Sequence, residues 1–123
     1  MILVLMVGWS RFHKVYAHDS GTPFAQWMTS LMRPGKATSC CWVADQYWVK
    51  DYQPSDKPNT AFTATVIAKD GMDEFTVDAP KHTVIWDRVN PTGRGVIFIA
   101  QTDYGLAFRE GTRVVCFVPA HGV

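Results

Sequence analysis

Apolar and polar positions divide the chain into one short stretch of helical period and a long remainder of period two. Phe24, Trp27, Met28 and Leu31 recur at the three- and four-residue steps that put side chains on one face of an α-helix. Thr22 offers an N-cap oxygen, Pro23 suits the first helical position and Pro34-Gly35 halts the run, which predicts a helix over Thr22 to Met32. A single apolar stripe needs a surface to lie on, so this helix is expected to pack on a sheet. From Trp42 onward strand patterns take over. Tyr47-Trp48-Val49 forms a short strand before the turn-rich loop Gln53 to Asn59. Ala61 to Ala68 is the clearest strand, with Phe62, Ala64, Val66 and Ala68 on one face and Thr63, Thr65 and Ile67 on the other. Lys69-Asp70-Gly71-Met72 turns it back onto Glu74 to Asp78, because Asp-Gly accepts the positive φ of tight hairpins.

Further strands are predicted at His82 to Trp86, Gly95 to Ala100 and Thr112 to Val118, with a shorter one at Leu106 to Phe108. Asn90-Pro91-Thr92-Gly93-Arg94-Gly95 is the densest turn signal, and Thr102-Asp103-Tyr104-Gly105 and Arg109-Glu110-Gly111 read as hairpin ends. The expected fold is therefore α+β: one N-terminal amphipathic helix on a small antiparallel β-sheet or barrel of about six strands. A chain of 123 residues with 47% hydrophobic and 19% charged residues has material for one core and one domain, and is not disordered.

Charge narrows the partners. The formal net charge is +1 and no block of Lys or Arg is long enough to grip a phosphate backbone, so no nucleic acid is expected. The apolar run from Met1 to Trp9 is far short of the roughly 20 residues that span a bilayer, so no stable membrane span is expected either. Val15-Tyr16-Ala17 carries small residues where a signal peptidase reads them, which predicts residues 1–17 as a signal segment and 18–123 as a single β-rich domain. The expected location is periplasmic or extracellular. Arg11, His13 and Lys14 interrupt the segment, and the alternative is a retained first strand on a cytoplasmic chain.

Three cysteines bear on the same question, since disulfides persist in oxidising compartments. Cys116 can bond Cys40 or Cys41, closing a loop of about 75 residues worth roughly 4 kcal/mol in the chain-entropy model. With the sheet starting near Trp42, adjacent side chains point opposite ways and only one of the pair can face Cys116. Cys41 is the expected partner, with Cys40 free or buried. Three reduced, buried thiols and a strained Cys40-Cys41 bridge are the alternatives.

Certain segments resemble a family. Trp27 through Ser30-Leu31, Pro34-Gly35, Ser39-Cys40-Cys41, Ala44-Asp45, Asn90-Pro91-Thr92-Gly93-Arg94 and Cys116-Phe117-Val118-Pro119 occur in an order that resembles small, signal-peptide-bearing proteins of proteobacteria and their phages. The likeness runs from about Phe24 to the C-terminus. It implies export, and no activity, cofactor or catalytic residue.

Catalytic patterns are weak by comparison. Cleavage after Ala17 would expose His18, whose α-amine and imidazole could chelate copper with His82 or His121 as a further donor. A zinc site would need Cys40, Cys41, Cys116 and a histidine, yet adjacent cysteines strain a tetrahedral shell. A Cys41 nucleophile with His82 and Asp87 needs a proximity that nothing in the sequence supplies. Asp45, Asp51, Asp87 and Asp103 are carboxylates of unknown separation. Gly35-Lys36 followed by Thr38 lacks the upstream glycine of a phosphate loop, Ser30 standing there instead. Aromatic residues are the better lead: Trp42, Tyr47, Trp48, Tyr52, Trp86 and Tyr104 fall in the β-rich part, and Trp48 and Tyr52 flank Lys50-Asp51 beside the loop. The expected role is a non-catalytic exported module, without a cofactor, that binds a protein or glycan ligand through Trp48, Tyr52 and Trp86. The alternative is a small metalloprotein or hydrolase.

Overall fold

In the computed structural model, which describes residues 24–101 and 112–121, the apolar run Val96-Ile97-Phe98-Ile99 lies in a strand buried on both faces. The signal segment expected over residues 1–17, His18, the helix start expected at Thr22-Pro23 and the strand expected at Leu106 to Phe108 lie outside the described residues. Two small helices, α1 (Ala25–Thr29) and α2 (Cys40–Val43), precede five strands: β1 (Asp45–Pro54), β2 (Thr60–Ile67), β3 (Glu74–Pro80), β4 (Gly95–Gln101) and β5 (Thr112–Val118). All pairings are antiparallel and the order is β3-β2-β1-β4-β5.

The sheet curls into a half-barrel because β1 is shared. Its first half pairs with β4, from Asp45 opposite Ile99 to Val49 opposite Gly95. Its second half pairs with β2, and the register slips between Val49 and Asp51 where the ladder changes partner. A bulge bends its strand and increases the twist. Gly95 relieves the crowding at this bend, since a Cβ there would meet the Val49 Cβ at 3.0 Å and the Tyr52 ring at 3.4 Å. Further slips occur in the β2–β3 and β4–β5 ladders.

Alternation along β4 separates two cores. Val96 and Phe98 face a cluster with Met28, Leu31, Cys40, Cys116 and Val118, against which Phe24 and Trp27 pack. Ile97 and Ile99 face the concave side, with Tyr47, Val49, Ala64, Val66, Phe75 and Phe117. The face predicted for β2 is the one observed: Ala64 and Val66 are fully buried, and Phe62 and Ala68 pack beside them. The Asp70-Gly71 hairpin is also as expected. Gly71 has φ +77°, and the Asp70 carboxylate accepts from the backbone N–H of Met72 at 2.8 Å and of Asp73 at 3.0 Å.

Three expectations are corrected. The described helix ends at Thr29, because residues 31–33 turn into a narrow ribbon with 38–40 around Gly35 at φ +69°. Arg33 N–H donates to the Thr38 carbonyl, Cys40 N–H donates to the Leu31 carbonyl, and Met32 bridges Ser39. His82 to Trp86 is not a strand: Lys81–Thr83 is a 3-10 turn, after which Val84 makes a single parallel bridge to Phe117. Pro80 removes a ladder donor there, and five rather than six strands stand among the described residues.

The third correction concerns the disulfide, which joins Cys40 to Cys116 and not Cys41 to Cys116. Ser39 caps α2, its hydroxyl accepting the Cys41 N–H at 3.2 Å, so Cys40 and Cys41 sit on a helical turn and not in an extended strand. Cys40 turns into the first core and is fully buried with Cys116, while Cys41 is half-buried and free of any disulfide.

Candidate binding face at the sheet seam

The edge strands β3 and β5 come into contact at the unclosed side of the half-barrel. The chain crosses there after β3: Ile85 N–H donates to the Phe117 carbonyl at 2.8 Å. Arg88 then reaches across to the end of α1, its guanidinium donating to the Ser30 hydroxyl at 2.7 Å and carbonyl at 3.2 Å. The Arg33-Pro34-Gly35-Lys36 turn leans over the same seam. Two adjoining cavities result, with Arg33, Pro34 and Lys36 in the wall of both.

The larger cavity, about 570 Å³, is a groove between that turn and the segment Val84 to Arg88. Met32, Pro34, Val84, Ile85 and Trp86 supply apolar walls, and Asp87, Arg88 and Lys36 supply polar groups. Trp86 is 50% exposed and is propped by Phe62, ring centroids 5.7 Å apart. The smaller cavity, about 320 Å³, lies in the seam itself, with Asp78, Pro80 and His82 on one side and Arg113 to Val115 on the other.

Of the three rings expected to bind a ligand, Trp86 lines the larger of these two cavities, and Trp48 and Tyr52 line neither. Tyr52 packs edge-on against Phe62 and Phe117, each at 5.2 Å, and its hydroxyl accepts the Ala120 N–H at 2.8 Å. Its ring therefore belongs with the second core and not with the open surface expected beside the Gln53 to Asn59 loop. Trp48 is half-buried against the first core, and the Arg94 guanidinium stacks 4.4 Å from its ring centre. Trp42 is 75% exposed on α2, and Tyr47 is buried edge-on to Phe75.

Among the described residues, cysteine and histidine form no shared metal site. Burial pushes the Cys41 thiol up to about 11, and its S–H donates to the Met28 carbonyl at 3.5 Å. A nucleophilic cysteine needs the opposite shift. With Cys40 and Cys116 joined, the three-cysteine zinc shell cannot form. Among the described residues no group of three or more His, Cys, Asp or Glu is placed to hold a metal ion. His82 lines the seam, Asp87 lines the groove and His121 is exposed near the end of the described chain. His18 lies outside the described residues.

Sequence reasoning missed Arg33, Lys36 and Arg113. Nothing in their spacing links them, because curling of the sheet alone brings β5 under the Pro34-Gly35 turn. It also missed what the turn Asn90 to Arg94 does. The Asn90 amide donates to the Arg94 carbonyl at 2.7 Å and to the Pro119 carbonyl at 3.1 Å. Its oxygen accepts the N–H of Thr92 at 2.9 Å and the hydroxyl at 2.7 Å. The Asn-Pro-Thr-Gly segment is thereby clamped to the end of Cys-Phe-Val-Pro, as Ser-Cys-Cys is through Cys40 to Cys116. No helix among the described residues is long and apolar enough to cross a membrane. Set against protein-family models, curated proteins and solved structures, the chain gives no match.

Proposed function

We infer that this chain is an exported, non-catalytic binding module that takes a glycan in the Trp86 groove. The observation that carries the reading is the half-exposed Trp86 ring on the rim of a cavity of about 570 Å³. That volume falls in the usual range for a small ligand, roughly 300–1,000 Å³. A protein partner would instead call for a broad face of about 800 Å² on each side. The apolar C–H face of a pyranose matches an aromatic ring, and hydroxyls around the sugar need hydrogen-bonding groups at its edge. Asp87 and Lys36 supply them beside Trp86.

Export is supported by the Cys40–Cys116 disulfide, a bond that persists in oxidising compartments. The family resemblance points the same way, and its motif residues bear on structure. Cys40 with Cys116, and Asn90 with Pro119, hold the half-barrel together.

An array of neutral and acidic oligosaccharides tests the reading, with binders followed by tryptophan fluorescence. A binder is expected whose affinity falls about tenfold or more in Trp86→Ala, the scale of losing one stacked ring. The exposed control Trp42→Ala is expected to leave it unchanged. Absence of any glycan binder, or a binder indifferent to Trp86→Ala, overturns the assignment, as does a protein partner that competes for the same groove in place of sugar.

A further inference from the structure

We propose that the smaller cavity in the seam is an anion site, built to hold a carboxylate, phosphate or sulfate group of a ligand. Arg33 and Lys36 enter it from the Pro34-Gly35 turn, Arg113 from β5 and His82 from the 3-10 turn after β3. Three basic residues from two regions of the sequence thus line one cavity of about 320 Å³. The whole chain balances 12 basic against 11 acidic residues, so this gathering does not follow from a general basic bias.

The cations are not spent on one another's neighbours. Asp78 is the one carboxylate in the cavity wall, and it is already held by Lys57 Nζ at 3.0 Å and the Thr63 hydroxyl at 3.2 Å. Among the described residues, no side-chain hydrogen bond or ion pair is made by Arg33, Lys36 or Arg113. Like charges facing one concavity repel, and the low-dielectric walls of a cleft concentrate their field. An anion removes that repulsion, and the planar fork of an arginine matches two oxygens of a carboxylate or phosphate. The seam cavity shares Arg33, Pro34 and Lys36 with the Trp86 groove, whereas Arg113 and His82 line the seam cavity and not the groove.

The test is a titration of the ¹⁵N-labelled full chain with sodium phosphate, sodium sulfate and sodium acetate at constant ionic strength, followed by amide chemical shifts. Saturable shifts are expected at Lys36, His82 and Arg113, and the tightest of the three salts identifies the group recognised. Arg33→Gln with Arg113→Gln is expected to weaken that salt by at least about tenfold, since each lost charge-assisted hydrogen bond is of that order. Trp86→Ala is expected to leave its affinity within about twofold, which separates this site from the groove. Arg113→Gln alone, a change at an exposed position that lines the seam cavity and not the groove, serves if the double variant does not fold, and is expected to weaken binding in the same direction. Shifts that are linear in salt, that spread over the whole surface, or that persist undiminished in both variants overturn the proposal.

Discussion

Asn90 shows how one side chain can fix a fold. Its two N–H groups and its oxygen are all engaged, tying the turn before β4 to the carbonyl that follows β5. Asn90→Asp keeps the size and replaces two donors with an acceptor facing two carbonyl oxygens. Because Asn90 is buried, the substitution should destabilise the protein by about 2–4 kcal/mol, read as a lower urea midpoint at unchanged slope. A loss within about 0.5 kcal/mol would show that the clamp is dispensable. The sequence announced a turn at this position, since Asn, Pro and Gly are turn residues, but the long-range bond to Pro119 has no local signal. The same is true of Tyr52. Its placement beside polar Lys50-Asp51 argued for exposure, and the slip in register next to it carries the ring inward under Gly95.

Elements were legible in proportion to how far their pattern was local. Strands β2 and β3 and the Asp-Gly hairpin between them followed from alternation and turn chemistry, and β4 and β5 from short apolar runs. Two failures share a cause: a short turn interrupting an apolar stretch. Ser39 caps a helical turn where alternation suggested strand, which reversed the choice between Cys40 and Cys41. Pro80 starts a 3-10 turn where His82 to Trp86 reads as strand. The staple itself acts between elements, joining α2 to β5 across a sequence separation of 76. Replacing both Cys40 and Cys116 by Ala should cost roughly 4 kcal/mol of unfolding free energy, the loop-closure value for that separation. Cys41→Ala should cost no more than about 1 kcal/mol, since a half-buried thiol and its weak S–H bond to the Met28 carbonyl are lost while the staple stays. Equal losses in the two variants would contradict this division.

At the scale of the molecule, the half-barrel places its unclosed edge where the apolar groove and the cationic cavity adjoin. Neither could be read from the sequence. Trp86 was one of three rings expected to bind a ligand, but no local pattern sets Arg33, Lys36 and Arg113 around a neighbouring cavity. What the sequence did support was an oxidised, stapled β-rich domain, and both proposed sites depend on the staple holding β5 against the segment that bears Arg33 and Lys36. The direct test is intact-mass and peptide mapping of chain secreted through an oxidising compartment, alkylated in denaturant before and after reduction. One alkylated thiol at Cys41 and a linked Cys40–Cys116 peptide pair are expected before reduction, and three alkylated thiols after it. Three alkylated thiols without reduction, or a linked Cys41–Cys116 pair, would contradict the account.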